Sequence, residues 1–269
     1  MNLSITPGTN NVGAYINNVD LTNLNNNQAT EIKKTLDKFG VIFIKKQNLD
    51  PESYQNFAKQ IGQPVIYPRL KGLDKKFPFI NVIERKPDDK NLSFGSSWLH
   101  QDTSYMQIDR PRWTALMGIE IPQGQGNTIF SSGFNSYEKL PNEIKEKIKN
   151  ATGIFSSAGP ISVTRLEREK EMGFKSSKSM EAEHPIVQTV DGKKTLYVSP
   201  GHLIKIKNVN ENEAGYLKDY LIKHVNKKEF IFSYEWSKND ICIWDNLSCL
   251  HMASEIKNCR RVMHRITIK

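Results

Sequence analysis

Beyond about residue 63 the chain breaks into short segments of strand length, apolar or alternating, set apart by turn residues. They fall at 79–84, 102–106, 112–121, 127–131, 185–190, 195–199, 229–235, 240–244 and 261–268. A parallel sheet needs a long crossover, usually a helix, between successive strands. Helical periodicity interrupts this series only near 136–149 and 211–225. The second of these opens on Asn210-Glu211-Asn212-Glu213, a capping-box pattern with Asn as the cap. Many short strands without βαβ alternation predict an antiparallel sandwich or jelly roll. A chain of 269 residues can bury a large core of this kind.

The leading stretch reads strand, helix, strand. Ile32, Leu36 and Phe39 recur at helical spacing, Gly40 is a suitable stop, and Val41 to Lys45 then reads as a buried strand. Asp50-Pro51 opens a second helix that sets Tyr54, Phe57, Ala58 and Ile61 on one face and ends at Gly62. The overall expectation is a single domain over 1–269, mainly β with flanking helices. Residues 156–183 are polar, charged and aperiodic, an insertion long enough in a compact domain to serve as a lid.

No apolar run approaches the length that spans a bilayer, and Met1-Asn2-Leu3-Ser4 begins no basic-then-apolar leader. A cytoplasmic protein with no membrane partner is expected. Cys242, Cys249 and Cys259 lack Cys-x-x-Cys spacing, so neither a disulfide framework nor a zinc ribbon is indicated. The net charge of +9 raises the question of nucleic acid. Lysines such as Lys145, Lys147 and Lys149 are scattered along polar faces, however, and no dense basic run interleaves with aromatics. No nucleic-acid partner is expected; a small anionic substrate suits the charge better.

His100-Gln101-Asp102 is the first candidate for chemistry. A His-x-Asp triplet arises by chance often enough to decide nothing alone. On a strand, however, residues i and i+2 share a face, so both side chains could reach one ion. His251, far along the chain in Ile243-Trp244-Asp245-Asn246-Leu247-Ser248-Cys249-Leu250-His251, can supply the third ligand. Two histidines and one carboxylate form the facial triad of non-haem Fe(II) oxygenases, which leaves positions free for cosubstrate and oxygen. A zinc hydrolase could use the same three ligands. His184, His224 and His264 read as structural or exposed, and Cys249 as packing on the side of its strand away from the ligands. The segment Arg260 to Ile268 reads either as a basic tail or as a strand with Arg261, Met263, Arg265 and Thr267 on one face. In the second case two guanidinium groups could hold dianionic small molecules by bidentate pairing.

Taken in order, these pieces resemble the TauD/TfdA family of Fe(II)- and 2-oxoglutarate-dependent dioxygenases. The resemblance runs from Gly40-Val41-Ile42-Phe43 through Trp98 to Tyr105, Gly126 to Ser132, Leu196-Tyr197-Val198 and Asn239 to Asn246, and on to Thr267-Ile268. It implies a double-stranded β-helix, or jelly roll, with Fe(II) on His100, Asp102 and His251. Arg261 and Thr128 would hold the distal carboxylate of 2-oxoglutarate, and Arg265 the anionic group of the prime substrate. Tyr67, His202 and either Gly95 or Ser96 fall where substrate-pocket residues of taurine dioxygenases stand, but differ from them, which argues against taurine itself. For His202 a plain loop role after Pro200-Gly201 remains open.

The reaction implied is hydroxylation of a C–H bond with O2, giving succinate and CO2. A sulfonate, sulfate ester, carboxylate or phosphonate is the expected substrate class. A larger biosynthetic metabolite or amino-acid derivative is the alternative, and a non-catalytic jelly-roll binding protein ranks below both. A homo-oligomer, dimer or tetramer, is also implied.

Overall fold

The computed structural model of the chain describes residues 3–67, 70–90, 95–162 and 179–269. Two hairpin strands, β1 (Ser4–Pro7) and β2 (Ala14–Asn17), precede α1 (Asn26–Phe39), β3 (Val41–Ile44) and α2 (Pro51–Ile61). Helix α1 starts on a reciprocal Asn25–Gln28 capping box and stops at Gly40, whose φ of 76° is the left-handed turn that favours glycine. Strands β4 (Pro64–Val65), β5 (Asn81–Arg85), β6 (Trp113–Glu120) and β7 (Thr128–Ser132) follow.

The helix expected over 136–149 is two helices, α3 (Gly133–Glu138) and α4 (Asn142–Ile148). Pro141 caps the second, because proline has no N–H to continue the first. Next come β8 (Thr152–Ser156), β9 (Glu181–Pro185), β10 (Val187–Val190), β11 (Lys193–Leu196) and β12 (Leu203–Lys207). After α5 (Glu211–Val225) the chain ends in β13 (Ile231–Tyr234), β14 (Ile241–Asp245), β15 (Cys249–Ala253) and β16 (Arg261–Ile268). Asn210 caps α5 through the Asn212 N–H, while the Glu213 carboxylate goes to Lys147 at 2.6 Å rather than completing a capping box.

The strands form a large sheet in the order β1-β2-β3-β14-β6-β16-β4, with β5 also on β16, facing a smaller antiparallel sheet β13-β7-β15. This is the jelly roll. Both faces of the large sheet are covered, which explains why its central strands are apolar throughout. Ile42 and Ile44 on β3 and Ile241 and Ile243 on β14 pack outward against Ile32, Leu36, Tyr54 and Phe57 of α1 and α2. Val41, Phe43, Cys242 and Trp244, the alternate residues of the same strands, point inward to meet Phe130 and Tyr234 of the small sheet.

The inner face changes character toward β6 and β16, where Thr114, Arg261 and Arg265 replace core residues among the buried positions. That polar end of the inter-sheet space holds the candidate site. The lid expected over 156–183 falls mostly on 163–178, outside the described residues. Its flanks meet, with Ser157 N–H donating to Met180 carbonyl (2.9 Å) and Ser156 opposite Glu181.

Candidate active site

His251 lies on β15, the outer strand of the small sheet, and His100 joins that strand's free edge. Each histidine donates its backbone N–H to the other's carbonyl, at 2.9 and 3.0 Å, so the two residues sit directly opposite. Their ring centroids are 4.4 Å apart. His100 Nδ1 is 3.0 Å from the Trp98 carbonyl, which can only accept, so Nδ1 carries the proton and Nε2 keeps its lone pair for the site.

The expected strand over 102–106 is instead a turn: Thr103 has φ 56° and Met106 N–H closes on its carbonyl. Asp102 therefore reaches His100 by chain reversal, not by strand alternation. The result is the same juxtaposition. Asp102 Oδ1 is 3.9 Å from His100 Nε2 and 3.8 Å from His251 Nε2, and ligand atoms of the three residues lie within 4.8 Å of one another. All three side chains are buried.

Burial pushes both imidazoles below their usual titration range, more strongly at His251, so both are neutral at neutral pH. Burial alone would raise the Asp102 carboxyl. Arg265, with Nη2 2.9 Å from Oδ2, together with the two histidines and the Thr114 hydroxyl, outweighs it, and Asp102 is held ionised well below the usual range. Two neutral imidazoles and one carboxylate, facing one point, are a fitting donor set for a divalent transition metal. Cys249 shares the His251 face of β15, contrary to the side expected for it. It packs in the inter-sheet core, and burial raises its thiol well above the ordinary value.

A cavity open to solvent at one end runs from this triad between the sheets. At one part of its wall stands Arg261, 5% exposed, whose Nε and Nη2 have no hydrogen-bond partner among the described residues. Burial lowers this guanidinium to about 10, still fully charged at neutral pH. Gly126 is what lets the neighbouring loop approach it: a Cβ there would stand 2.8 Å from Arg261 Cδ, and its φ is 77°. Thr128 also lines the cavity, and its hydroxyl accepts the Trp236 indole N–H at 2.9 Å, leaving its own proton to donate. A buried cation with unmet donors beside a free hydroxyl proton suits a small carboxylate.

Arg265, on the same face of β16, lies with its guanidinium carbon 4.6 Å from the Tyr67 ring centroid. Tyr67 in turn meets Tyr105, hydroxyl to hydroxyl, at 3.3 Å. His202 Nδ1 is 3.0 Å from Ser104 Oγ and 3.1 Å from Ser199 Oγ, and its ring stands edge-on 5.9 Å from that of His100. Ser96 is buried and bridges to Ala253 on β15, while Gly95 lines the cavity. The structure thus brings together His100, Asp102, His251, Thr128, Arg261 and Arg265, and sets Tyr67, His202 and Ser96 around them. Thr114, Asn246, Trp236 and Tyr105, which also contact these groups, escaped the sequence reading, since single buried polar residues on strands carry no spacing signal. His184 and His224 are structural, as expected, bonding the Met106 and Ser136 carbonyls.

The family model for taurine catabolism dioxygenase TauD, TfdA family, matches residues 4–267. The chain belongs to the TauD/TfdA family. Membership makes it a 2-oxoglutarate-dependent dioxygenase, an oxidoreductase. Among TauD/TfdA relatives, a protein of Pseudomonas putida named alpha-ketoglutarate-dependent sulfate ester dioxygenase is 26% identical over 281 residues, covering 100% of this chain and 90% of that one. An alkylsulfatase of Acinetobacter baylyi is 29% identical over 273 residues, covering 97% and 83%. A solved structure described as a putative alpha-ketoglutarate-dependent taurine dioxygenase from Burkholderia xenovorans superposes with a TM-score of 0.81 at 26% identity, covering 99% and 89%.

Proposed function

We propose that the protein is a single TauD/TfdA-like domain in which His100, Asp102 and His251 hold Fe(II), and that it hydroxylates a small anionic substrate. The observation that carries the reading is the pairing of the buried triad with an unpartnered, buried Arg261 in one cavity. The triad alone would also suit a hydrolytic zinc site; the buried cation and hydroxyl beside it, with the family match, support a keto-diacid cosubstrate. When bound, iron and 2-oxoglutarate supply the oxidising power: substrate, 2-oxoglutarate and O2 become hydroxylated substrate, succinate and CO2.

The chain's own residues bind, orient and exclude water. Arg261 and Thr128 receive the distal carboxylate of 2-oxoglutarate, which aims its keto-acid end at the triad. His100, Asp102 and His251 would hold the metal, and the keto-acid end of the cosubstrate would meet it there. Arg265 receives the anionic group of the prime substrate through Nη1, which has no hydrogen-bond partner among the described residues, while Tyr67 holds its guanidinium plane. Tyr67, His202 and Ser96 flank the reacting carbon's approach. Positioning of this kind supplies much of the rate in such chemistry.

Relatives named for sulfate esters, sulfonates and 2,4-dichlorophenoxyacetate support a sulfonate, sulfate ester, carboxylate or phosphonate as the substrate class. A larger biosynthetic metabolite is the second reading, supported by relatives named pentalenolactone F synthase, 22% identical over 273 residues in one Streptomyces species. Among the described residues no helix is long and apolar enough to cross a membrane, in keeping with action in the cytoplasm. A dimer or tetramer is proposed from family resemblance, to be checked by light scattering.

The test is anaerobic titration of Fe(II)-loaded protein with 2-oxoglutarate. A weak visible charge-transfer band should grow in and be lost in Asp102→Ala. Metal that binds but ignores 2-oxoglutarate would sink the chemistry and leave the fold. Succinate release in a panel of candidate anions then separates the two substrate readings.

A further inference from the structure

The two oxygens of Asp102 are treated differently. Oδ1 faces His100 and His251, whereas Oδ2 is turned away, accepts the Thr114 hydroxyl at 2.8 Å and ion-pairs with Arg265 Nη2 at 2.9 Å. What directs the Thr114 proton can be worked out from its neighbours. Asn246 Oδ1 lies 3.0 Å from the Trp244 indole nitrogen and 3.3 Å from the Asp102 backbone nitrogen, and both groups can only donate. That fixes which end of the Asn246 amide is oxygen. Its Nδ2 then faces the Pro111 carbonyl at 3.4 Å and donates to Thr114 Oγ1 at 3.1 Å. With a lone pair occupied by Asn246, the single hydroxyl proton of Thr114 is left to Asp102. All of these side chains are buried, so no bulk water competes.

We propose that Thr114 and Asn246 form a clamp that keeps Asp102 a one-oxygen ligand. They are positioning residues. By occupying Oδ2 and pinning the Asp102 backbone, the clamp stops the carboxylate from rotating to close a second coordination place that the keto acid needs. The proposal rests on the reading of Asp102 as a metal ligand and deepens it.

The experiment measures two affinities by calorimetry, Mn(II) for the protein and 2-oxoglutarate for the Mn(II)-loaded protein, in wild type, Thr114→Val and Thr114→Ser. Wild type is read first: if the loaded protein does not bind 2-oxoglutarate, the dioxygenase assignment fails and the clamp falls with it. Given wild-type binding, Thr114→Val should leave Mn(II) affinity unchanged or higher while 2-oxoglutarate affinity falls by roughly tenfold, the scale of outer-shell effects. Thr114→Ser, which keeps the hydroxyl, should restore it. Asn246→Asp, which turns the donor facing Thr114 into an acceptor, should weaken 2-oxoglutarate binding as Thr114→Val does. Equal affinities in wild type and Thr114→Val would overturn the clamp. So would a joint loss of both affinities that Thr114→Ser does not repair, since that marks a role in folding only.

Discussion

Arg261 offers the sharpest separation between binding and stability, because the two should move in opposite directions when it is replaced. Consider Arg261→Met, which keeps most of the stem packed beside Gly126 and Ile256 but removes the charge. In the metal-free protein the guanidinium is buried with Nε and Nη2 unpartnered among the described residues, and burial lowers it from its ordinary value to about 10. A cation whose folded-state value is depressed destabilises the fold at every pH where it is charged in both states. At 1.36 kcal/mol per pH unit the drop corresponds to about 3 kcal/mol. Removing it should leave the ligand-free protein as stable as wild type or raise its melting temperature by up to several degrees.

For the cosubstrate the sign reverses. Truncating one partner of a buried, hydrogen-bonded charge pair costs about 2–5 kcal/mol, or roughly 30-fold to several thousandfold in affinity. The assay is a thermal melt of the metal-free variant beside calorimetric titration of 2-oxoglutarate into its Mn(II)-loaded form. Wild-type affinity in Arg261→Met would refute the carboxylate role. A melting temperature many degrees below wild type would refute the claim that the guanidinium is unmet in the free protein.

Gly126→Ala should lower both melting temperature and 2-oxoglutarate affinity, since its Cβ would meet Arg261 Cδ at 2.8 Å; Gly124→Ala, also at positive φ but with nothing within 4 Å, should cost only the backbone strain of about 1–2 kcal/mol seen in a melt. Burial holds His100, His184, His224, His251 and His264 below their ordinary value. The unfolded chain therefore binds more protons as pH falls through about 6.5, and stability, full above that value, should decline toward pH 5 in a series of melts. Tyr67→Ala should raise KM for the anionic prime substrate while leaving 2-oxoglutarate affinity within about twofold, because the stacking it removes is worth about 0.5–2 kcal/mol at Arg265 alone.

How much of this was legible beforehand follows the physics of each signal. The apolar runs of β3 and β14 announce strands buried on two faces, and the 3.6-residue spacing of α1 and α2 is unmistakable, so these elements fall where the sequence places them. Strands β8 and β9 carry Thr and Glu on their outer faces and too few apolar residues to signal an alternation, and on β12 a bulge between Leu203 and Lys205 leaves Ile204 exposed, so its buried residues do not follow the sequence alternation. Strand β15 is short, and its register is set by β7 and His100 rather than by its own pattern. The turn at 102–105 depends on a non-glycine residue, Thr103, in left-handed conformation, which no composition rule foretells. The site's charged members could be found because charge is rare in a core. Thr114 and Asn246 could not, because a buried hydroxyl or amide becomes meaningful only when its partners are located.

If Arg261 and Arg265 bind as proposed, the two arginines of β16 let one strand serve two ligands without confusing them. Residues four apart on a strand lie on one face about 13 Å from each other. Arg261 has no anionic partner among the described residues and is lowered by burial. Arg265 is buried too, yet the adjacent Asp102 raises it above its usual value. An incoming dianion therefore meets an uncompensated cation at Arg261 and a half-neutralised one at Arg265, and the stronger field favours the first for a ligand with two carboxylates. Because Arg265 already leans on Asp102, its remaining capacity is directional, limited to the Nη1 side, and an anion held there must extend past the metal-binding triad. On the proposed reading the strand fixes the spacing, and the difference in pairing would decide which anion goes where.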